Sequence, residues 1–354
     1  MKKIIKNLII RALSIIPLKK GNYIFSTIMS KQNLSGPNRF LNNLENGLKE
    51  YNYKIERLFL SRCKSALILS NAPSDEFHNI CNKKSIKTII RVDGFYYPEI
   101  LDKKGITYKK ELISKIDITQ RMQRDLIFSD WVVYQSNFSK QMADKYLFKR
   151  DKNYSIIYNG VNLTHFKPKN IKKDKFTIMI LGNLRDEDLL LFNLEVFKKI
   201  KERIDCKFNI IGSMTDNVKS IVNDWIDKNE YLKDDIKVFG RVYFEELPDV
   251  INQADVSLHL KAGDWCPNAV LETMACGVPV ICQRYGGTAE LVGSDDLIVE
   301  YNKPFVYDEE LVDSTIKKIF LLYSDLEKYK QYTINNIQKF SLENMVKNYL
   351  KVLN

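Results

Sequence analysis

The sequence predicts an α/β fold of two doubly wound domains, and three observations predict it. Short apolar runs ending in glycine or polar turns, such as Lys87–Val92 (KTIIRV) and Phe176–Gly182 (FTIMILG), alternate with stretches of helical spacing. That alternation builds parallel sheets covered by helices. The chain has 354 residues, enough for two domains with full cores. Residues 264–292, DWCPNAVLETMACGVPVICQRYGGTAELV, read as helix, strand, glycine loop, helix, the unit from which such domains are made.

The elements follow in order. Residues 1–20, MKKIIKNLIIRALSIIPLKK, hold six basic residues and no acidic ones. Ile5, Leu8, Ile9, Ala12, Leu13 and Ile16 share one helical face, so the segment reads as a basic amphipathic helix. Two fates suit it, lying on anionic lipid or packing on the protein body. Lys6 and Arg11 interrupt the apolar run and no small-residue cleavage site follows, which argues against a secretory leader. Strands are expected at Tyr23–Met29, Lys54–Leu60, Ala66–Ser70, Ile86–Val92 and Trp131–Gln135, with a helix from about Asn38 to Tyr51 and a loop, Ser30–Pro37, before it. Tyr154–Val161 then leads on to Phe166 and Pro168. Strands at Phe176–Gly182, Lys207–Ile211, Ile236–Phe239, Asp255–Leu260 and Val278–Cys282 build the second domain. Helices are expected at Glu245–Asn252, Glu309–Leu322 and Leu326–Ile337, with a last one starting near Phe340.

Composition narrows the classes. Hydrophobic residues make up 45% and charged residues 28%, as in soluble globular proteins, and no apolar run is long enough to cross a bilayer. The net charge of +11 is uneven. Residues 1–168 hold 30 Lys and Arg against 14 Asp and Glu, a balance of +16, whereas residues 169–354 hold 25 against 30, a balance of −5. A basic half suits an anionic surface, membrane or nucleic acid. No DNA- or RNA-binding motif is present, which favours the membrane. The six cysteines (Cys63, Cys81, Cys206, Cys266, Cys276, Cys282) form no CxxC pair and read as reduced thiols of a cytoplasmic protein. Only three histidines exist, none near a ligand-spaced cysteine, so no metal is expected.

The chemistry concentrates in residues 264–292. Pro267 stands where a helix begins, with its φ already fixed near a helical value. Val270, Leu271, Met274 and Ala275 keep helical spacing, and Gly277 stops the helix. The N–H groups of residues 268–270, including Asn268 and Ala269, are then available to an anion such as a diphosphate. Glu272, one turn in, suits the two hydroxyls of a ribose. Asp264 follows a strand and faces the crevice at its carboxyl end. Asp93, after Ile86–Val92, holds the corresponding place in the first domain. It binds a sugar or acceptor hydroxyl, or it only builds an Asp-Gly turn. Cys266 is read as a small core residue.

Residues 255–292 closely resemble the donor-binding signature of the family 4 retaining glycosyltransferases, the glycosyl transferases group 1. That family carries two acidic residues with seven between them, here Asp264 and Glu272, with Asp where Glu is usual. The Gly277-Val278-Pro279-Val280 turn and the Gly286-Gly287 loop match as well. Residues 154–168 resemble the segment that ends the first domain in that family, with Asn162 where Asp is common. The resemblance implies the GT-B fold, two facing Rossmann-like domains with a C-terminal crossover helix. Its expected parts are the segment 1–20, an acceptor-side domain at 21–168, a nucleotide-sugar-binding domain at 169–337 and a crossover helix at 338–354 that packs on the first domain. It implies transfer of a sugar with retention from a nucleotide-sugar donor to a glycan or lipid-linked glycan, without a metal.

By the same resemblance Glu272 holds the ribose, Asp264 contacts the donor sugar, Asp93 lies near the reacting centre, and Gly36 approaches the diphosphate through its N–H. Glu290 is read as structural. The family usually places an arginine just after the glycine of the 176–182 strand and a lysine five residues on. Here Asn183 and Asp188 stand there. Arg185 and Arg241 are candidate substitutes, although either suits a plain surface arginine. The basic first domain fits a lipid-linked acceptor at the inner face of the cell membrane, as in bacterial O-antigen or capsule assembly. A non-catalytic relative that binds a glycan or a partner enzyme is the main alternative. A phosphorylase would need a cofactor lysine and longer domains, and a dinucleotide-dependent oxidoreductase would need a GxGxxG after a first strand.

Overall fold

The computed structural model describes residues 20–28, 36–74, 76–103 and 109–354. The helix expected within residues 1–20 and most of the loop expected at 30–37 lie outside the described residues. The described residues form two compact units, one of those up to Gly160 with 342–354 and one of residues 161–341.

Unit 1 is built on six strands, β1 (Tyr23–Ser26), β2 (Lys54–Glu56), β3 (Ser65–Leu69), β4 (Lys87–Val92), β5 (Trp131–Tyr134) and β6 (Tyr154–Ile156), in the order β2-β1-β3-β4-β5-β6. All the pairings are parallel. The central β3, SALIL, is buried along its whole length, as a strand covered on both faces must be. Helices α1 (Gly36–Leu48), α2 (Phe77–Lys83), α3 (Pro98–Lys103), α4 (Lys109–Phe128) and α5 (Asn137–Tyr146) make the crossovers. In α1, Phe40, Leu41, Leu44 and Leu48 form the stripe that reaches the core. Two strands stop earlier than their apolar runs. After β2 the Glu56 carboxylate accepts from the N–H groups of Arg57 and Leu58 (2.8 and 3.0 Å), diverting them from the ladder.

Unit 2 holds β7 (Phe176–Leu181), β8 (Cys206–Ile211), β9 (Ile236–Gly240), β10 (Val256–His259), β11 (Val280–Gln283) and β12 (Ile298–Val299), again all parallel, in the order β12-β11-β10-β7-β8-β9. The first strand of the unit, β7, lies between the second and the fourth. The connections therefore leave β7 and β10 in opposite directions, and a crevice opens between their carboxyl ends. The helices are α6 (Glu187–Lys201), α7 (Asp216–Lys228), α8 (Leu247–Ile251), α9 (Asn268–Ala275), α10 (Thr288–Val292), α11 (Glu309–Ser324) and α12 (Leu326–Ile337). Asp186, Thr215, Asp308 and Asp325 cap α6, α7, α11 and α12, each accepting from the backbone N–H three residues on.

The chain then returns to unit 1 as α13 (Leu342–Leu353). Its Met345, Val346, Tyr349, Val352 and Leu353 share one core with the stripe of α1, and the Tyr349 ring lies 5.2 Å from that of Phe40. Gly47 permits the approach, since a β-carbon there would fall 2.4 Å from Val346 Cγ2. The units divide at 160/161 rather than at the expected 168/169. Val161 N–H donates to the Phe340 carbonyl (3.0 Å), and the Asn252 side chain holds the Lys167 carbonyl and the Lys169 N–H (3.1 and 2.7 Å). Those bonds tie residues 161–169 to unit 2. Among the described residues no helix is long and apolar enough to cross a membrane.

Candidate functional site

The carboxyl edge of the unit 2 sheet is assembled by close backbone contacts. Gly182 N–H donates to the Ile211 carbonyl and Gly212 N–H to the Gly240 carbonyl (3.1 and 2.8 Å), which aligns the loops after β7, β8 and β9. Beyond β10, Gly263 N–H donates to the Tyr285 carbonyl (2.8 Å), and Gly287 N–H donates to the Asp264 carbonyl (2.7 Å). Gly286 has φ +147°, and a β-carbon on it would sit 3.2–3.3 Å from the Asp264 and Gly263 backbone. Gly286 therefore lets the loop after β11 lie against the loop carrying Asp264, and the Gly287 N–H fastens the two.

Asp264 is held at three points. Its Oδ2 accepts from Lys261 Nζ (3.0 Å) and lies 3.3 Å from His259 Nε2, while its Oδ1 accepts from the Trp265 N–H (3.1 Å). Its side chain is 18% exposed, and that of Lys261 57%. Burial pushes the carboxyl up, but Lys261 and His259 outweigh it and hold Asp264 well below the usual carboxylate range. Asp264 in turn raises the Lys261 ammonium above its ordinary value. The result is an oriented carboxylate and a reachable cation, both ionised at neutral pH.

The helix after this loop presents an open start. Pro267 is the cap residue itself, with φ −71° and an extended ψ of 124°, rather than the first helical residue expected from the sequence. Its carbonyl accepts the Leu271 N–H (3.4 Å). Pro267 offers no side-chain cap, and the first turn, with Asn268 and Ala269, holds no acidic residue. The N–H groups of residues 268–270 have no acceptor within the helix. The start of α6 differs. There the Asp186 carboxylate caps the helix, and Glu187 and Asp188 occupy the first turn. The positive end of α6 is thus matched by its own acids, whereas that of α9 is left for an outside anion. Glu272 lies further along α9 and is 6% exposed.

The other expected donor contacts are placed less uniformly. Asn183 and Arg185 sit in the exposed loop after β7, and Arg185 Nε donates to Asn183 Oδ1 (3.1 Å). Arg241 is exposed directly after β9. In unit 1, Gly36 is the exposed first residue of α1 rather than part of the loop before it. A β-carbon there would meet nothing within 4 Å, so packing does not require glycine.

Asp93 is more enclosed than its place at the end of β4 suggests. It forms an ion pair with Arg91, accepts from the Ser70 N–H (3.0 Å) and lies 3.5 Å from Gln135 Nε2. Arg91 also donates to Gln135 and Asn159 (2.7 and 2.8 Å), and its guanidinium stacks over Phe40, 4.0 Å from the ring centre. The two side chains are 3% and 10% exposed. Burial pushes the Asp93 carboxyl up, against the pull of Arg91 and the Ser70 N–H. Both carboxylate oxygens are engaged within the protein, so the Asp-Gly turn of the sequence is the end of a buried network that braces the edge of unit 1.

Two residues of the site were not singled out as site residues by the sequence reading, His259 and Lys261. They lie on a strand end and the loop after it, where spacings of five and three residues do not mark a pair. The turn at Ala262-Gly263, where Gly263 has φ +72°, folds them back onto the carboxylate.

Residues 175–316 match the family model described as glycosyl transferases group 1. The chain is 26% identical over 221 residues to an uncharacterized glycosyltransferase of Methanocaldococcus jannaschii, covering 58% of this chain and 53% of that protein. It is 26% identical over 206 residues to the UDP-Gal:alpha-D-GlcNAc-diphosphoundecaprenol alpha-1,3-galactosyltransferase of Escherichia coli, covering 53% and 52%. The chain spans about half the length of these curated relatives. Among solved structures, Anabaena HepE in complex with UDP and glucose aligns with TM-score 0.65 at 13% identity, over 94% of this chain and 98% of that one. Sucrose-phosphate synthase from Thermosynechococcus elongatus aligns with TM-score 0.68 at 12% identity, over 93% and 97%. These likenesses show the fold, and the architecture is GT-B, as the sequence implied.

Proposed function

We propose that this chain, whose second unit is that of a group 1 glycosyltransferase of the family 4 kind, moves a sugar from a nucleotide-sugar donor to a glycan or lipid-linked glycan. The observation that carries this reading is the meeting, at the crevice of the unit 2 sheet, of an ionised Asp264 and the uncapped, acid-free start of α9. A nucleotide sugar offers groups that match them. The diphosphate meets N–H donors at the helix start, the ribose hydroxyls meet Glu272, and the sugar hydroxyls meet Asp264. HepE, of the same fold, was solved with UDP and glucose, and the Escherichia coli relative is named for transfer to a diphosphoundecaprenol-linked sugar.

In the reaction we infer, the bond between the anomeric carbon and the diphosphate oxygen breaks while the acceptor hydroxyl bonds the same carbon. The acceptor proton passes to the departing phosphate on the same face, which retains the configuration. Negative charge grows on the diphosphate, so positive charge and N–H groups around it stabilise the transition state. The residues act without a metal ion. The retained configuration and the lack of a metal follow from the family resemblance. Asp93, held by Arg91, the Ser70 N–H and Gln135, braces the edge of unit 1.

The acceptor side and the location extend the reading. The basic balance of residues 1–168 and the amphipathic pattern of residues 1–20 support attachment to the anionic inner face of a membrane, with a role in bacterial surface-polysaccharide assembly. A second reading, a non-catalytic protein that binds a glycan or a partner enzyme, is favoured by Asn183 and Asp188 at the places where the family has cations. A radiolabelled transfer assay separates the two. UDP-, GDP-, ADP- and dTDP-sugars are supplied with membrane extract as acceptor, and Glu272→Gln is the control. Transfer from one donor, lost in the variant, supports the enzyme. No transfer from any donor, with an extract shown to contain a usable acceptor, supports the binding protein.

A further inference from the structure

We propose that Lys261 is the cation that meets the donor's diphosphate, in place of the residues after β7 that the family resemblance calls for. The inference rests on the reading of unit 2 as a nucleotide-sugar site and names a residue which that reading left open. Its basis is the register of the two strands that flank the crevice. β10 pairs with β7 in parallel, with Val256 opposite Ile178 and Ser257 opposite Met179. Lys261 stands two residues past the end of β10 and Asn183 two residues past the end of β7, so both lie just beyond the carboxyl ends of neighbouring parallel strands. Asn183 is the position where the family places its arginine. A positive charge missing after one strand is present after its neighbour, close enough to the loop after β7 for Asp186 to act on it.

The surroundings suit the exchange. Asp186, Glu187 and Asp188 follow β7 closely, and with Asp264 they make the edge of the crevice acidic. Arg185, the one cation in the loop after β7, is held by Asn183 in the exposed loop. Lys261 is more than half exposed on a flexible stem, and its ammonium is drawn first by Asp264 and then by Asp186. Asp264 also has His259 and the Trp265 N–H, so it stays oriented when Lys261 turns away. The start of α9 follows six residues after Lys261, at Pro267. An arriving diphosphate thus meets an ammonium and a helix start delivered by one loop. In the empty site Lys261 neutralises Asp264, and in the filled site it neutralises phosphate.

The test compares a nucleoside diphosphate with its parent nucleoside by isothermal titration of the full chain. UDP, GDP, ADP and dTDP are screened first to find the one the wild type binds. Lys261→Gln should weaken binding of that diphosphate by about tenfold or more and leave the nucleoside unchanged. Lys261→Arg should restore most of the loss, and Arg185→Gln should change binding by less than about threefold. The inference is overturned if Lys261→Gln binds the diphosphate as the wild type does, or if diphosphate and nucleoside weaken equally. A large loss in Arg185→Gln with none in Lys261→Gln overturns it too. A wild type that binds none of the four diphosphates overturns the donor-site reading itself, and this inference with it. Lys261→Gln loses only the Lys261 share of the pairing with Asp264, which keeps His259 and the Trp265 N–H, so it should still unfold cooperatively with a small fall in melting temperature, which separates lost contact from lost fold.

Discussion

Gly212 and Gly182 approach so closely that a β-carbon on Gly212 would lie 1.7 Å from the Gly182 carbonyl oxygen. The contact is backbone to backbone, and no rotamer change relieves it. It aligns the ends of β7 and β8 beneath the proposed donor site.

Gly212→Ala is therefore expected to destabilise the protein by at least about 2 kcal/mol, because φ is +138° and the clash forces the two strands apart. Gly240→Ala is the matched control. Its φ of +65° is unfavourable to alanine, but nothing lies within 4 Å of the added carbon, so a cost of about 1 kcal/mol is expected. Urea unfolding of both variants checks the ranking. Equal losses would show that the approach of the two glycines is not what demands them.

Acid should erase part of the stability that Asp264 contributes. Its carboxyl sits below the usual range in the folded chain, whereas in the unfolded chain it titrates near pH 4. The unfolded state therefore takes up the proton first as pH falls. The contribution is fully present above the ordinary carboxylate range and is lost as pH drops through it towards the folded value. Wild type should exceed Asp264→Asn by about 1–3 kcal/mol at pH 7, and the gap should narrow at pH 3. A gap that is constant across that window contradicts the pairing with Lys261 and His259.

Thiol chemistry gives a further check. All six cysteines are free and buried, and burial pushes the thiols of Cys63, Cys81, Cys206, Cys276 and Cys282 up to about 12. At pH 8 the native protein should react with a chromogenic disulfide reagent at none of these five, and all should react once urea is added. Rapid modification of any of the five in the native protein would mean that its core opens readily.

The proposed membrane contact is testable by vesicle sedimentation. The full chain should bind vesicles rich in phosphatidylglycerol, bind neutral phosphatidylcholine vesicles weakly, and be released by salt. Replacing Lys2, Lys3 and Lys6 together by glutamate should reduce binding to anionic vesicles by about tenfold or more. Equal binding to both vesicle types would remove the electrostatic basis for peripheral attachment.

The parts of the fold legible in the sequence are those imposed by the backbone. Gly277 and Gly286 are set by positive φ and by close approach of other parts of the chain, so their spacing in residues 264–292 shows in one dimension what three dimensions require. Strand ends were less legible. The apolar run from Tyr23 continues to Met29, but the ladder of β1 stops at Ser26, since pairing depends on the neighbouring strands and not on hydropathy. The long α4 went unread because Ile113, Ile116, Ile127 and Phe128 on it are exposed, which blurs the stripe that marks an amphipathic helix. In the site, Asp264 could be placed at a strand's end, but its cationic partner could not. Lys261 reaches it through the turn at Ala262-Gly263, which no residue pattern in the sequence displays. Asp93 shows the converse. Its position at a strand's end was legible, but the ion pair with Arg91 arises from packing.

The central claim is that the crevice of unit 2 binds a nucleoside diphosphate through the start of α9 and Glu272. The most direct measurement is isothermal titration of the full wild-type chain and of Glu272→Gln with UDP, GDP, ADP and dTDP. The account predicts that one diphosphate binds the wild type in preference to the others and binds Glu272→Gln at least about tenfold more weakly, as expected when a buried carboxylate loses its charged hydrogen bonds to a ribose. No binding by the wild type, or equal binding by the two proteins, would contradict it.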